Sequence, residues 1–208
     1  MSPSPRAGLE GVRERIAQAC ERCGRDPGGV RLVAVSKKFP ADRVRELLEV
    51  GPGPVWHLVG SLQRNKARHA VGVYELIHSG DAERLAVALD RRAAAAGLRQ
   101  AVLVQLNLAG ESTKSGVSEA VLWPLVETVA ELDHLDLRGL MTIPPPVDRA
   151  EESRPWFARL RELREEAARR LGRPLPELSM GMTDDFEVAV EEGATLVRIG
   201  RAIFGERG

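Results

Sequence analysis

Short apolar runs and helical patterns take turns along this chain, and that alternation limits its fold more than any other feature. Behind a leading helix over Leu9–Cys23, strands are predicted at Leu32–Ser36, Val55–Val59, Glu75–His78, Ala101–Leu108, Leu137–Met141, Leu178–Met180 and Leu196–Ile199, the last running into Ala202-Ile-Phe204. Between them fall helical patterns over Asp42–Val50, Leu62–Ala70, Ala82–Ala96, Ser118–Leu132, Asp148–Leu171 and Asp184–Glu192. Strands separated by helices predict a parallel sheet with helices packed outside it. The 208-residue length and the number of units favour a closed (β/α)8 TIM barrel over an open doubly wound sheet, as a single domain over 1–208 with an extra N-terminal helix. Seven strands are found where such a barrel needs eight. The connection Gly51-Pro-Gly-Pro-Val55 holds a turn but no strand and helix, so one βα unit is missing between Gly51 and Trp56.

Charge and terminal composition exclude several classes. Thirty basic residues balance thirty acidic ones, which gives no electrostatic case for nucleic acid or a membrane surface. Met1-Ser-Pro-Ser-Pro-Arg6 lacks the apolar core of a signal peptide, and the expectation is a cytoplasmic chain. Cys20 and Cys23 lie one turn apart on the leading helix, with no second Cys/His pair at ligand spacing, so no metal or redox role is expected.

The chemistry begins at Arg31-Leu-Val-Ala-Val-Ser-Lys37. Its apolar run ends in a serine and a lysine, where a strand gives way to its βα loop, the rim on which parallel α/β proteins build sites. Partial desolvation there favours the neutral amine of Lys37, the nucleophile that forms Schiff bases with aldehydes. The plain alternative is a lysine snorkelling to solvent. Near the carboxyl end, Ser179-Met-Gly-Met-Thr-Asp184 joins a strand to a helix through a glycine, and Val197-Arg-Ile-Gly-Arg201 ends the last strand at another. Loops after the last two strands are the usual phosphate cradle of barrels, although Arg198 could simply pair with a core carboxylate. An aldehyde trap beside a phosphate cradle suits pyridoxal 5′-phosphate (PLP).

Six segments then resemble one family. They are Ala34-Val-Ser-Lys37, Trp56-His-Leu-Val-Gly-Ser-Leu-Gln-Arg-Asn-Lys66, Asn107-Leu-Ala-Gly-Glu-Ser-Thr-Lys-Ser-Gly116, Arg138-Gly-Leu-Met141, Ser179 to Asp184, and Val197 to Gly205. In this order they resemble the pyridoxal phosphate homeostasis proteins, the YggS/PROSC family. The resemblance implies a barrel like the N-terminal domain of bacterial alanine racemase, with PLP held as an internal aldimine on Lys37. It further implies that Ser179, Gly181, Thr183, Gly200 and Arg201 surround the phosphate and that Arg198 faces the pyridine nitrogen. Met141 and His57 fall in matching segments and are expected to border the cofactor. Lys66 and Lys114 are candidates for holding a second PLP in transit.

Two departures stand out. The family carries a Phe-Gly-Glu-Asn segment and a helix where this chain has only Gly51–Val55, the same unit that the strand count lacks. A segment absent from the sequence explains this better than a gapped barrel, whose unpaired strand edges would lie beside the site. Thr183 replaces a more usual serine and keeps the hydroxyl.

The expected function is to carry or buffer PLP without efficient amino-acid turnover. An arginine at the pyridine nitrogen keeps that nitrogen unprotonated and weakens the electron sink that PLP enzymes use. Racemases with that arrangement add an opposed tyrosine from a second domain, whereas Tyr74, the only tyrosine here, precedes a strand at the far end. The alternatives are a small racemase-like enzyme using His57 as second base, a class I aldolase-like Schiff-base enzyme, and an interaction module docking through the charged 150–171 helix. The expected state is a monomer, in transient contact with PLP-dependent acceptor enzymes. Trp56, Trp123 and Trp156 are expected to pack, and Asp184 and Asp185 to form the acidic first turn of a helix.

Overall fold

The computed structural model describes residues 4–37, 39, 56–111 and 115–205. Among them are seven strands: β1 (Arg31–Ala34), β2 (His57–Leu58), β3 (Leu76–Gly80), β4 (Gln100–Leu106), β5 (Leu135–Thr142), β6 (Glu177–Ser179) and β7 (Leu196–Ile199). The α-helices are α1 (Pro5–Arg22), α2 (Glu83–Ala95), α3 (Leu122–Glu131), α4 (Arg154–Leu171), α5 (Phe186–Glu191) and α6 (Arg201–Phe204). Every strand pairing is parallel, as the alternation requires. The predicted helix over Asp42–Val50 and the short Gly51–Val55 connection lie outside the described residues.

The chain forms two compact units. The first comprises Met1–Pro54, Val147–Arg154 and Met180–Gly208. Its β1 and β7 pair from Arg31 opposite Leu196 to Ala34 opposite Ile199. Beyond β6, the Met180 amide donates to the Leu196 carbonyl at 3.1 Å and the Arg198 amide to the Gly181 carbonyl at 3.0 Å. α1 starts because Pro5 has no N–H to satisfy in the first turn and because the Ser4 hydroxyl accepts from the Ala7 amide at 3.3 Å. Its buried stripe of Gly8, Val12, Ile16 and Ala19 packs on α5 and α6.

The second unit comprises Val55–Pro146 and Pro155–Ser179, with strand order β2-β3-β4-β5-β6. β3 is buried at every residue, as expected of a parallel strand covered on both faces. α2 buries Leu85, Ala86, Leu89 and Ala93, a stripe at helical spacing. At Gly139 on β5, an added Cβ would stand 1.8 Å from the Glu177 carbonyl oxygen, so only glycine lets β6 approach.

Several local expectations change. The predicted Leu62–Ala70 helix is a 3-10 segment over Arg64–His69, because only Ala67 of those residues is buried and no apolar stripe asks for α geometry. Ala202-Ile-Phe204, read as continuing the last strand, belongs to α6. α1 ends at Arg22, with Cys20 buried inside it and Cys23, the C-cap residue, exposed. Trp56 is 45% exposed and is not a packing residue.

Candidate functional site

β1 continues past Ala34, where the Val35 amide donates to the Ile199 carbonyl at 2.7 Å. The chain then turns, with the Phe39 amide donating to the Ser36 carbonyl at 3.1 Å. Lys37 stands exposed inside that turn. On the paired strand, β7 passes through buried Gly200 into α6. A Cβ at Gly200 would lie 3.3 Å from the Val35 carbonyl oxygen and 3.7 Å from the Phe39 ring, so the lysine turn and the Gly200 turn are neighbours. Phe39 and Phe204 pack beside them in a tilted pair, with ring centroids 4.9 Å apart and planes at 33°.

The loop from Gly181 to Asp184 belongs to the same unit. Gly181 has φ +87° and would place a Cβ 2.5 Å from that of Ala189. Backbone conformation and the close approach of α5 therefore require this glycine, a packing reason distinct from the ligand approach expected of it. The Thr183 hydroxyl accepts a long hydrogen bond, 3.4 Å, from the Ala202 amide in α6. Arg201 forms a salt bridge with Asp184, which ties the two loops together.

Arg198 is only 3% exposed. Burial pushes its guanidinium down to about 10, opposed by the charge of Asp185, so it stays protonated at neutral pH. Asp185 is not a solvated first-turn acid. It is 7% exposed, accepts from the Met182 amide at 2.7 Å and from the Ser153 hydroxyl at 3.1 Å, and stands at the N-cap position of α5 without a side-chain bond into that helix. Burial raises its carboxyl, while those two hydrogen bonds and Arg198 act in the opposite sense. The alternative raised for Arg198, a core carboxylate partner, is therefore met in electrostatic terms by Asp185.

In the second unit, Ser179 closes β6 and Met141 lies opposite it on β5, both fully buried. Ser179 Oγ is 2.9 Å from His78 Nδ1, and His78 Nε2 is 3.0 Å from His57 Nδ1. His57 Nε2 stands 4.0 Å from Glu75 Oε1, near solvent. His57 is thus engaged in a chain of side chains. The sequence reading did not single out His78 or the burial of Asp185. The available signal for the first was a histidine inside the apolar run Leu76-Ile77-His78. Lys66 is exposed on the 3-10 segment, and Lys114 lies outside the described residues.

The first unit therefore gathers one amine, a hydroxyl-bearing glycine loop, a second glycine turn and a buried cation. That donor set fits a phosphorylated aldehyde carrying a ring nitrogen, and PLP has those three groups. Among the described residues no helix is long and apolar enough to cross a membrane.

Comparison with known proteins agrees with this chemistry. The sequence model described as alanine racemase, N-terminal domain, matches residues 12–208. The pyridoxal phosphate homeostasis protein of Aquifex aeolicus is 42% identical, over 96% of this chain and 96% of its own. That of Pseudomonas aeruginosa is 40% identical, over 94% and 93%. The chain belongs to the pyridoxal phosphate homeostasis family. A solved structure of PipY from Synechococcus elongatus PCC7942, described with PLP bound, is 34% identical, with TM-score 0.80 over 93% of this chain and all of that one. A protein from Bifidobacterium adolescentis superposes with TM-score 0.87 at 32% identity, over 97% and 94%. An alanine racemase from Clostridium difficile shares the fold, at TM-score 0.60 and 15% identity. The fold class is thus the (β/α) TIM barrel expected from the alternation, of the alanine racemase-like kind that the resemblance implied. The Aquifex alignment spans 220 positions while covering 96% of 208 residues, so about 20 aligned positions have no residue here.

Proposed function

We propose that this chain binds PLP and carries or buffers it for the cell, a reading supported by relatives named for pyridoxal phosphate homeostasis. One observation carries the reading. Lys37 sits in a turn beside Gly200 on the paired strand, with buried Arg198 two residues before that glycine.

PLP, when bound, supplies an aldehyde that an amine can hold and a pyridine ring that withdraws electrons. Lys37 provides the amine. The Thr183 hydroxyl and the backbone of Gly200 and Arg201 receive the phosphate, with Gly181 shaping the loop and Ser179 presenting a further hydroxyl. The Arg201 side chain, paired with Asp184, holds the two phosphate loops together. Arg198 faces the pyridine nitrogen and, protonated, accepts no proton from it and offers none readily. The family resemblance adds Met141 and His57 to the residues expected at the cofactor.

Arg198 also argues for binding without efficient turnover, because it leaves the electron sink weak. A racemase would need a second base opposite Lys37, and His57, the candidate, is committed to His78. Acceptor enzymes are the partners such a carrier would serve, and the working unit is a monomer in the cytoplasm.

The test is an absorbance spectrum of the protein with added PLP, for wild type and Lys37→Ala, followed by an amino-acid racemisation assay. A near-ultraviolet to violet band that Lys37→Ala abolishes, without racemisation, is the expected result. Turnover in the same sample would overturn the carrier reading, and no band in the wild type would overturn PLP binding itself.

A further inference from the structure

The arginines of this neutral chain divide into two populations. On α4, Arg154 pairs with Glu151, Glu191 and Glu192, Arg159 with Glu119 and Glu162, and Arg170 with Glu166. The charged helix that the sequence offered as a docking face thus has much of its arginine charge neutralised by its own surroundings. Along the 3-10 segment Arg64–His69 and α2 the opposite holds. Among the described residues, the exposed side chains of Arg64, Arg84, Arg91 and Arg92 form no ion pair or hydrogen bond, and Arg68 is bonded only to neighbouring His69.

These five arginines surround one groove of about 560 Å³ between the 3-10 segment Arg64–His69 and α2. Ala67, Val87 and Ala88 line it too, and Glu83 is its only acidic lining residue. We propose that this groove docks an acidic amphipathic helix of a partner protein.

Three features favour that occupant. Arg84 and Arg91 stand seven residues apart, about 10 Å along the axis of α2, too far for one phosphate but matched to carboxylates two turns apart on a facing helix. Small apolar residues between the arginines admit the apolar face of such a helix, whereas a polyphosphate would gain nothing from them. The chain has no net charge, so it lacks the long-range positive field on which nucleic-acid binding depends. Guanidinium forks facing carboxylates give paired hydrogen bonds as well as charge.

The inference is independent of PLP. Its test uses the full chain and a fluorescent 15-residue probe peptide with a leucine face flanked by glutamates, compared with the same peptide carrying glutamines. Anisotropy should show the glutamate peptide binding about tenfold or more tightly than the glutamine one at low salt. Arg84→Glu/Arg91→Glu should lose that preference at an unchanged melting temperature. Arg154→Glu/Arg159→Glu, on α4, should keep it. Equal binding of both peptides, or a groove variant that binds like the wild type, would overturn the proposal. So would tripolyphosphate or a 12-base-pair DNA duplex binding more tightly than the peptide and losing affinity in the groove variant. If Arg84→Glu/Arg91→Glu unfolds, Arg84→Gln/Arg91→Gln must show the same loss of preference, or the proposal fails.

Discussion

Ser179 Oγ and His78 Nδ1 lie 2.9 Å apart although 101 positions separate them in sequence. His78 is fully buried, and its other ring nitrogen meets His57, so both nitrogens are satisfied inside the second unit. Hydrogen-bond direction must run consistently along such a chain. If Ser179 donates its proton outward, to a phosphate for instance, then His78 donates from Nδ1 and accepts at Nε2 from His57 Nδ1–H.

Replacing His78 with leucine keeps most of the volume and removes the bonds it makes to Ser179 Oγ and His57 Nδ1. We expect His78→Leu to lose about 2–4 kcal/mol in urea unfolding, and Ser179→Ala about 1 kcal/mol. The double variant should cost less than the sum of the two, because the partners share one hydrogen bond. Strict additivity would show that the bond contributes nothing.

Arg198 and Asp185 set a pH signature. Burial raises the folded-state pKa of Asp185 despite its hydrogen bonds. A carboxyl raised in the folded state contributes stability below its unfolded pKa, near 4, and loses it as pH rises through the higher folded value. Wild type should therefore lose, above about pH 4, a contribution that Asp185→Asn never had. Unfolding free energies measured from pH 4 to 7 should fall less steeply in the variant. Parallel curves would refute the assignment.

The strands were legible because β-branched runs such as Leu196–Ile199 stand out from any helical period, and that strand lies where it was expected. The site was legible in part, since Lys37 and Gly200 follow strand ends and strand ends show in sequence. Short elements were not. Ala202-Ile-Phe204 is apolar and spans about one turn, too short to display a helical period, so it read as strand. Long-range partnerships were equally hidden. Nothing in Asp184-Asp185 says which acid is buried, because Ser153, which donates to Asp185, lies 32 positions away.

Arg154 offers a test of paired charge. It joins Glu191 and Glu192, whose side chains are 19% and 12% exposed. Burial acts to raise Glu191, but hydrogen bonds from Arg154 and Arg22 prevail and hold it below its ordinary value. A depressed carboxylate contributes stability above its unfolded pKa and loses it as pH falls through the folded value. Arg154→Ala should therefore cost about 1–2 kcal/mol at pH 7, after allowance for solvent around a partly exposed pair, and less below about pH 4. A cost that persists at acid pH would point to packing by the side-chain stem instead.

The last test contrasts two glycines of α1. A Cβ at Gly8 would stand 2.7 Å from the carbonyl oxygens of Ala202 and Ile203, whereas one at Gly11 would meet nothing within 4 Å. Helix propensity alone favours alanine at both positions by about 0.5–1 kcal/mol. Gly11→Ala should show that gain. Gly8→Ala must push α1 away from α6, and should lose about 1–3 kcal/mol by overpacking against backbone. Because Gly200 is the N-cap residue of α6, the displacement reaches the proposed phosphate turn as well. Gly8→Ala should then bind PLP more weakly than wild type in an absorbance titration, while Gly11→Ala binds it equally well. A Gly8→Ala protein with lowered stability but wild-type affinity would separate the α1–α6 contact from the site.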